Sequence, residues 1–307
     1  MKKFLFIALF AALLTVGCDD SANPDDNLPP SEQTPDGDNN KPDDGDNPDD
    51  PNKPDDGDEN DDPNDNPADI PDNVSNNELW YTSTDGKIVD PFNKDFGNGL
   101  KVVSNTYENG IGTLKFNAPV TTVAALAFYE SSNLKSIIIP DIATSIGIRA
   151  FYNCSTLESV TIGNGVTLIK ESAFENCTGM TSLTLGNSLQ TIGLNGFQNC
   201  RSLTSVTIPD SITEIDNHGF DECLSLTSVY FRAVTPPRLY GYLFHHKNEE
   251  AAEKEDYERL YEILPNLKAI YVPRESVDAY KDAYKNKNII GGQWWYYYID
   301  LIVGYDF

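Results

Sequence analysis

FYNCSTLESVTI (151–162) is followed 23 residues later by FENCTGMTSLTL (174–185), and 23 residues after that by FQNCRSLTSVTI (197–208). The same step joins Phe128, Phe151, Phe174, Phe197 and Phe220, and it joins Cys154, Cys177, Cys200 and Cys223. Two further columns run through Ile137, Val160, Leu183, Val206 and Val229 and through Ile139, Ile162, Leu185, Ile208 and Phe231. Self-similarity at a fixed short period is the mark of a repeat architecture, in which each unit buries its apolar face only by stacking on its neighbours. Within a unit, L-x-S-V-x-I alternates and is β-branched, so it reads as a short strand with Val and Ile facing inward. Coils stacked at strand spacing, about 4.8 Å, turn each column into a ladder through a common core.

The cysteines follow from that geometry. Thiols in equivalent rotamers on successive coils point the same way, which suits burial and not a disulfide. A metal needs ligands that converge, and a ladder supplies a row. Cys154, Cys177, Cys200 and Cys223 are therefore read as reduced core residues, alongside the structural ladder of phenylalanines. The triplets at Asn153 and Asn176 that scan as glycosylation acceptors occupy one repeat position and are by-products of the period.

This unit resembles the BspA-type leucine-rich repeat, a 23-residue class found in bacterial surface proteins, across residues 114–273. The cysteine here precedes the strand, unlike in the commoner leucine-rich consensus. Leu114 and Phe116 align with the inward strand residues of a degenerate first unit. The resemblance implies an α+β repeat, a leucine-rich-repeat solenoid with short parallel strands. An N-terminal β-hairpin cap is expected at 77–113, from turns at Asp85-Gly86 and Asn109-Gly110, and a C-terminal cap of helix and strand at 274–307. An amphipathic helix is expected near 247–264, because Tyr257, Leu260, Tyr261 and Leu264 recur at helical spacing before Pro265. A second helix is expected at 276–285, with Val277, Tyr280 and Tyr284 on one face.

The chain of 307 residues has a net charge of −26, which argues against a nucleic-acid partner. Most of that charge lies in residues 19–76, which hold 21 Asp and Glu against two Lys. This stretch is rich in Asp, Pro, Asn and Gly, too poor in apolar surface to fold, and is read as a disordered acidic tether over 18–76. It contains a tandem repeat, KPDDGDNPDDPN (41–52) and KPDDGDENDDPN (53–64), without the ligand pattern of an EF-hand. Ahead of it, Lys2 and Lys3 precede an apolar run from Phe4 to Val16, too short to span a bilayer and suited to an export signal over 1–17. The run ends in Thr15-Val16-Gly17-Cys18, which resembles a bacterial lipobox with Thr15 where Leu is preferred. A lipidated Cys18 follows from the resemblance, against the plainer alternative of a cleaved secretory signal. Asp19 and Asp20 resemble the signal that sends lipoproteins to the outer face of the Gram-negative outer membrane.

Function is sought where the period breaks. On the outward strand face, Ser136, Ser159, Ser182, Ser205 and Ser228 form one column, and Ile138, Thr161, Thr184, Thr207 and Tyr230 form the next. Identical hydroxyls in every row carry little address. The aromatic run Trp294, Trp295, Tyr296, Tyr297 and Tyr298 reads as an alternating strand, one face capping the core and the other left outside as an anchor. Tyr230 and these five residues are the candidate partner-binding set. His245, His246 and Glu249 are read as solvated loop residues and not as a metal site. Three histidines, no phosphate loop, no nucleophile elbow and no zinc pattern argue against an enzyme, and no cofactor is expected. The expected role is a lipid-anchored, surface-displayed adhesion module for an extracellular protein or glycan, touching the membrane through its lipid alone. The alternative is a non-catalytic envelope scaffold that binds a partner of the same cell.

Overall fold

A computed structural model of the chain describes residues 75–253, 261–285 and 295–307. The export signal at 1–17, Cys18, the tether, Tyr257, Leu260 and Trp294 lie outside the described residues, and the side chains of Tyr284, Trp295, Tyr296 and Tyr297 are likewise not described. The chain enters through three strands, β1 (Glu78–Ser83), β2 (Val102–Glu108) and β3 (Ile111–Phe116). Each coil then adds a two-residue strand and a longer one: β4 (Thr122–Val123) and β5 (Leu134–Ile139), β6 (Ser145–Ile146) and β7 (Ser159–Ile162), β8 (Leu168–Ile169) and β9 (Ser182–Thr184). The series continues with β10 (Thr191–Ile192) and β11 (Ser205–Ile208), β12 (Glu214–Ile215) and β13 (Ser228–Phe231), and β14 (Arg238–Leu239). The short strands β4 to β14 form one parallel sheet, and the longer ones form the opposite wall.

Between the walls lies one apolar core. Rings of Phe128, Phe151, Phe174, Phe197 and Phe220 stack face to face at 4.9–5.2 Å, within 8° of parallel, as coil spacing requires. Phe244 adds a sixth rung at 5.9 Å, tilted by 28°, because one extra residue precedes it in the last coil. Every repeat cysteine is buried and donates its Sγ–H to the carbonyl of the phenylalanine one coil back, from Cys154 to Phe128 at 2.9 Å through Cys223 to Phe197 at 3.3 Å. Burial pushes the Cys154 thiol up to about 12. The turn beside each cysteine needs two left-handed residues, and one of these columns is Glu130, Asn153, Asn176, Asn199 and Glu222, at φ 55–63°. Asparagine tolerates that region better than other side-chain-bearing residues, which is why a sequon-like Asn recurs there.

The cap differs from the sequence expectation in two places. The Asn109-Gly110 turn does join β2 to β3, but Asp85-Gly86 makes a turn with no returning strand. Asp85 instead accepts hydrogen bonds from Lys87 N and Asn133 Nδ2, tying the turn to the first coil. Leu114 and Phe116 are buried, but they lie on β3, which pairs antiparallel with β1 and β2, so the parallel series begins at Thr122.

The C-terminal end corrects two further expectations. Residues 247–264 are not one helix: among the described residues α1 spans Glu249–Glu253, and β15 (His245–Lys247) pairs antiparallel with β16 (Tyr261–Ile263). Pairing satisfies backbone groups that an isolated short helix would leave to solvent, and it returns Leu264 to the core, where its N–H reaches Phe244 O. Next, β17 (Ala269–Pro273) rejoins the sheet beside β13, a 3-10 turn spans Arg274–Ser276, and α2 (Val277–Lys285) packs with Tyr280 buried and its hydroxyl on Ala233 O. The aromatic run is not a strand either. Trp295–Leu301 is a 3-10 helix, and the last strand, β18 (Ile302–Tyr305), begins only after it.

One interruption matters for the site. The longer strands do not form a continuous sheet: β9 ends one sheet and β11 begins the next, with no ladder between them. The break falls at the coil that carries Leu183 and Leu185, where the coils on either side carry Val160 and Ile162, and Val206 and Ile208. Leucine packs less well than β-branched residues on a pleated surface. Leu183 is half-buried, while Val160 and Val206 are buried.

Candidate binding face

The outward side chains of the longer strands are set in rows by parallel register. Thr161 faces Thr184, Thr207 faces Tyr230, Tyr230 faces Tyr271, and Tyr271 faces Val303. At the step from Thr207 to Tyr230 the surface changes from hydroxyls to rings. Tyr230 and Tyr271 stack at 4.6 Å and 10°, and Tyr305 packs edgewise on both, at 5.6 and 5.5 Å. Phe307 completes the cluster 5.1 Å from Tyr305, with the Arg232 guanidinium 5.8 Å from its ring centre. Tyr305 and Phe307 are 43% and 50% exposed. The last residues are pinned by a two-pronged bond from Arg274 to Asp306, at 2.8 and 2.7 Å, which holds the Asp306 carboxyl below its usual range.

Of the sequence candidates whose side chains are described, Tyr230 lies in this cluster and Tyr298 does not. Tyr298 is not an exposed anchor: it is fully buried, packs edgewise 5.9 Å from Phe244, and so closes the end of the phenylalanine ladder. Trp295, Tyr296 and Tyr297 share its 3-10 helix. Sequence reasoning missed Tyr271, Tyr305, Phe307 and Arg232. A signal for Tyr271 was present, because AIYVP places it between the inward Ile270 and Val272, in the same row as Tyr230.

His245 also departs from the solvated reading. It is 2% exposed, its backbone N–H reaches Asp221 Oδ1 at 2.9 Å, and its ring meets Tyr298 Oη at 2.6 Å. Burial lowers it to about 4, and Asp221, which also pairs with His218, opposes that shift. The group knits the last coils together. Among the described residues, no three His, Cys, Asp or Glu side chains converge as metal ligands.

The serine column is not uniformly open. Ser136 and Ser159 are buried beneath the cap, where Thr82 Oγ1 lies 2.6 Å from Ser136 Oγ, while Ser182 and Ser205 are exposed. Along the ends of the strands runs a groove of about 440 Å³, lined by the outward residues Ile138, Thr161 and Thr184 and by Asp141, Asn164 and Asn187 of the following turns. A second hollow of about 260 Å³ lies at the break between β9 and β11. It shares Thr184, Leu185 and Asn187 with the first and extends to Thr207 and Arg232.

A family model described as the BspA type leucine rich repeat region matches residues 110–249, in six copies. Residues 110–249 are BspA-type leucine-rich repeats. Among solved structures, this solenoid is similar to a leucine-rich repeat protein of T. pallidum (34% identity, 37% of this chain and 53% of that one, TM-score 0.36). It is also similar to one from Bacteroides ovatus (24% identity, 66% and 50%, TM-score 0.37) and to the pneumococcal vaccine antigen PcpA (19% identity, 66% and 48%, TM-score 0.41). The chain spans about half the length of each of these three. No curated protein matches it. The six matched copies equal in number the six rings of the ladder, Phe128 to Phe244.

Proposed function

We propose that this chain is a non-catalytic binding module displayed on a bacterial surface, with Tyr230, Tyr271, Tyr305 and Phe307 as its anchor for an extracellular partner. The observation that carries the reading is the aromatic cluster itself. Four rings and a guanidinium gather on the rim of a rigid sheet, half of them well exposed, where burial of apolar area is available to a partner. The groups whose acidity is most displaced, the repeat thiols and Tyr298, are buried in the ladder core and not set in a recess open to substrate. The apolar run from Phe4 to Val16, Cys18 and the acidic residues after it support anchoring by lipid on the outer face of a Gram-negative outer membrane, with residues 19–74 as spacer. A scaffold role toward a partner of the same cell is the competing reading.

The test pairs stability with binding. Tyr271→Ala and Tyr305→Ala are compared with wild type for melting and for retention on immobilised extracellular-matrix proteins, host-cell surfaces and the bacterium's own envelope extract. Retained melting with lost adhesion supports the anchor. Lost melting with adhesion intact makes the rings a cap, and retention by the envelope extract alone selects the scaffold. Cys18→Ala is expected to release the chain from membranes.

A further inference from the structure

We infer that the groove running along the strand ends, from Asp141 to Arg232, binds an extended neutral oligosaccharide lying parallel to the solenoid axis. This rests on the binding-module reading and gives that module a ligand class.

Hydrogen-bonding capacity is the first argument. On the other corners of the coil, threonines are used up by the fold: Thr144, Thr167, Thr213 and Thr227 each donate Oγ1–H to a carbonyl of the preceding coil, at 3.0–3.2 Å. The hydroxyls of Thr161, Thr184 and Thr207 make no such bond to the described residues, although they repeat at the same period. The turn residues show the same contrast. Asp141 Oδ1 accepts Asn164 N–H at 2.6 Å, and Asn164 Oδ1 accepts Asn187 N–H at 2.9 Å. That ladder stops at Asn187, whose carboxamide receives no N–H from Asp210, and the strand ladder stops at the same coil boundary. The groove thus presents a row of hydroxyls, a free carboxamide and, at the break, strand backbone groups not paired across it. Leu183 and Leu185 lie beneath them as an apolar floor. Paired polar and apolar surface in one narrow channel fits the two faces of a pyranose, its hydroxyl rim and its C–H face.

Width and charge narrow the ligand. A polypeptide strand inserted at the break would need flanking strands about twice 4.8 Å apart, and Cα atoms of β9 and β11 still approach within 8 Å. The channel therefore admits a chain that lies over it, not one that completes the sheet. The charged residues that line the row are Asp141 and Arg232, one of each sign at opposite ends, so the groove carries no net charge to draw a polyanion. Successive coils repeat at 4.9–5.2 Å, as the ladder rings show, a length comparable to one pyranose, so consecutive sugars meet equivalent hydroxyls.

Affinity electrophoresis of the full chain provides the test, in gels containing galactomannan, xyloglucan, mixed-linkage β-glucan, dextran or yeast mannan, with polygalacturonate as the charged control. At least one neutral polysaccharide is expected to retard the chain. Thr184→Val with Asn187→Ala is expected to weaken that retention about tenfold, the worth of one or two lost hydrogen bonds, with melting unchanged. Thr207→Val alone serves as a second variant if the double one is unstable. The inference is overturned if no neutral polysaccharide retards the chain, if only polygalacturonate does, or if stable variants bind like wild type. A chain that adheres to a protein through Tyr271 while ignoring every polysaccharide would sink this inference and leave the binding module standing.

Discussion

Replacing Phe174 by alanine tests the ladder at its centre. The ring is fully buried between Phe151 at 4.9 Å and Phe197 at 5.1 Å. Withdrawing a phenylalanine side chain from a core forfeits about 1.5–3 kcal/mol of transfer free energy. Two aromatic contacts at about 0.5–1.5 kcal/mol each raise the loss further. The total agrees with the 3–5 kcal/mol typical of Phe→Ala in cores (about that range, where the site cannot collapse). Collapse is resisted here because the coils above and below are held by backbone bonds, including Phe174 N–H to Gly196 O and Phe151 N–H to Ala173 O. The assay is urea unfolding of the full chain followed by far-ultraviolet circular dichroism. Phe92→Ala is the control, since that ring is 64% exposed and touches only Tyr129 among aromatic neighbours in the described residues. Its loss should stay under about 1 kcal/mol, in the range of surface changes. A Phe174→Ala loss no larger than the control would refute the idea that the rings carry the stacking energy. Early unfolding of one half of the solenoid would show instead that the variant has cut its nearest-neighbour coupling.

Three other outcomes follow from the same geometry. The four repeat thiols should resist iodoacetamide at pH 8 in the folded chain and react in urea, because burial raises them; native labelling of Cys177 would contradict its place in the core. Glu130→Asn should stabilise by several tenths of a kcal/mol, since φ is 55° there and asparagine tolerates the left-handed region; a lower urea midpoint would refute the strain argument. His245 is held neutral in the fold near 4 and titrates near 6.5 when unfolded, so its contribution is intact above about 6.5 and falls away as pH drops towards 4. The loss is about 3 kcal/mol at most, measured as the extra acid sensitivity of wild type over His245→Phe; equal sensitivity would remove His245 as the cause.

The repeat was legible because identical packing demands identical residues, and Phe, Cys, Val and Ile at fixed spacing carry that demand openly. The ends were not, because each of their local patterns fits more than one structure. Tyr257, Leu260, Tyr261 and Leu264 have helical spacing, yet Tyr261–Ile263 finds a strand partner in His245–Lys247, and there cross-strand pairing overrides local spacing. Trp294 to Tyr298 could alternate as a strand, but Tyr298 must reach the open face of Phe244, and a 3-10 helix over Trp295–Leu301 brings it there. Tyr305 and Phe307 joined Tyr230 only because β18 docks on β17, a pairing between segments about 30 residues apart that no local window contains.

The proposed binding surface lies where one coil stops resembling the next, and this has a physical basis. A ladder of identical residues satisfies itself: each Cys thiol finds the previous Phe carbonyl, and each Asx oxygen finds the next N–H. A partner gains little from groups already bonded within the fold. On the proposed reading, capacity to bind arises where the internal pairing of the described residues fails, at Asn187 and the β9–β11 break, or where a residue outgrows its row, at Tyr230 beside Thr207. Those two departures lie on the same face within two coils of one another. Leu183 and Leu185 cost the sheet its continuity without improving the core, for Leu183 is left half-buried where valine is fully covered on either side. Restoring the pattern with Leu183→Val and Leu185→Ile should therefore close the sheet and raise stability while removing the hollow. A folded, more stable and non-binding variant would show that the break exists for the ligand, whereas one that is no more stable would show that the break has another cause.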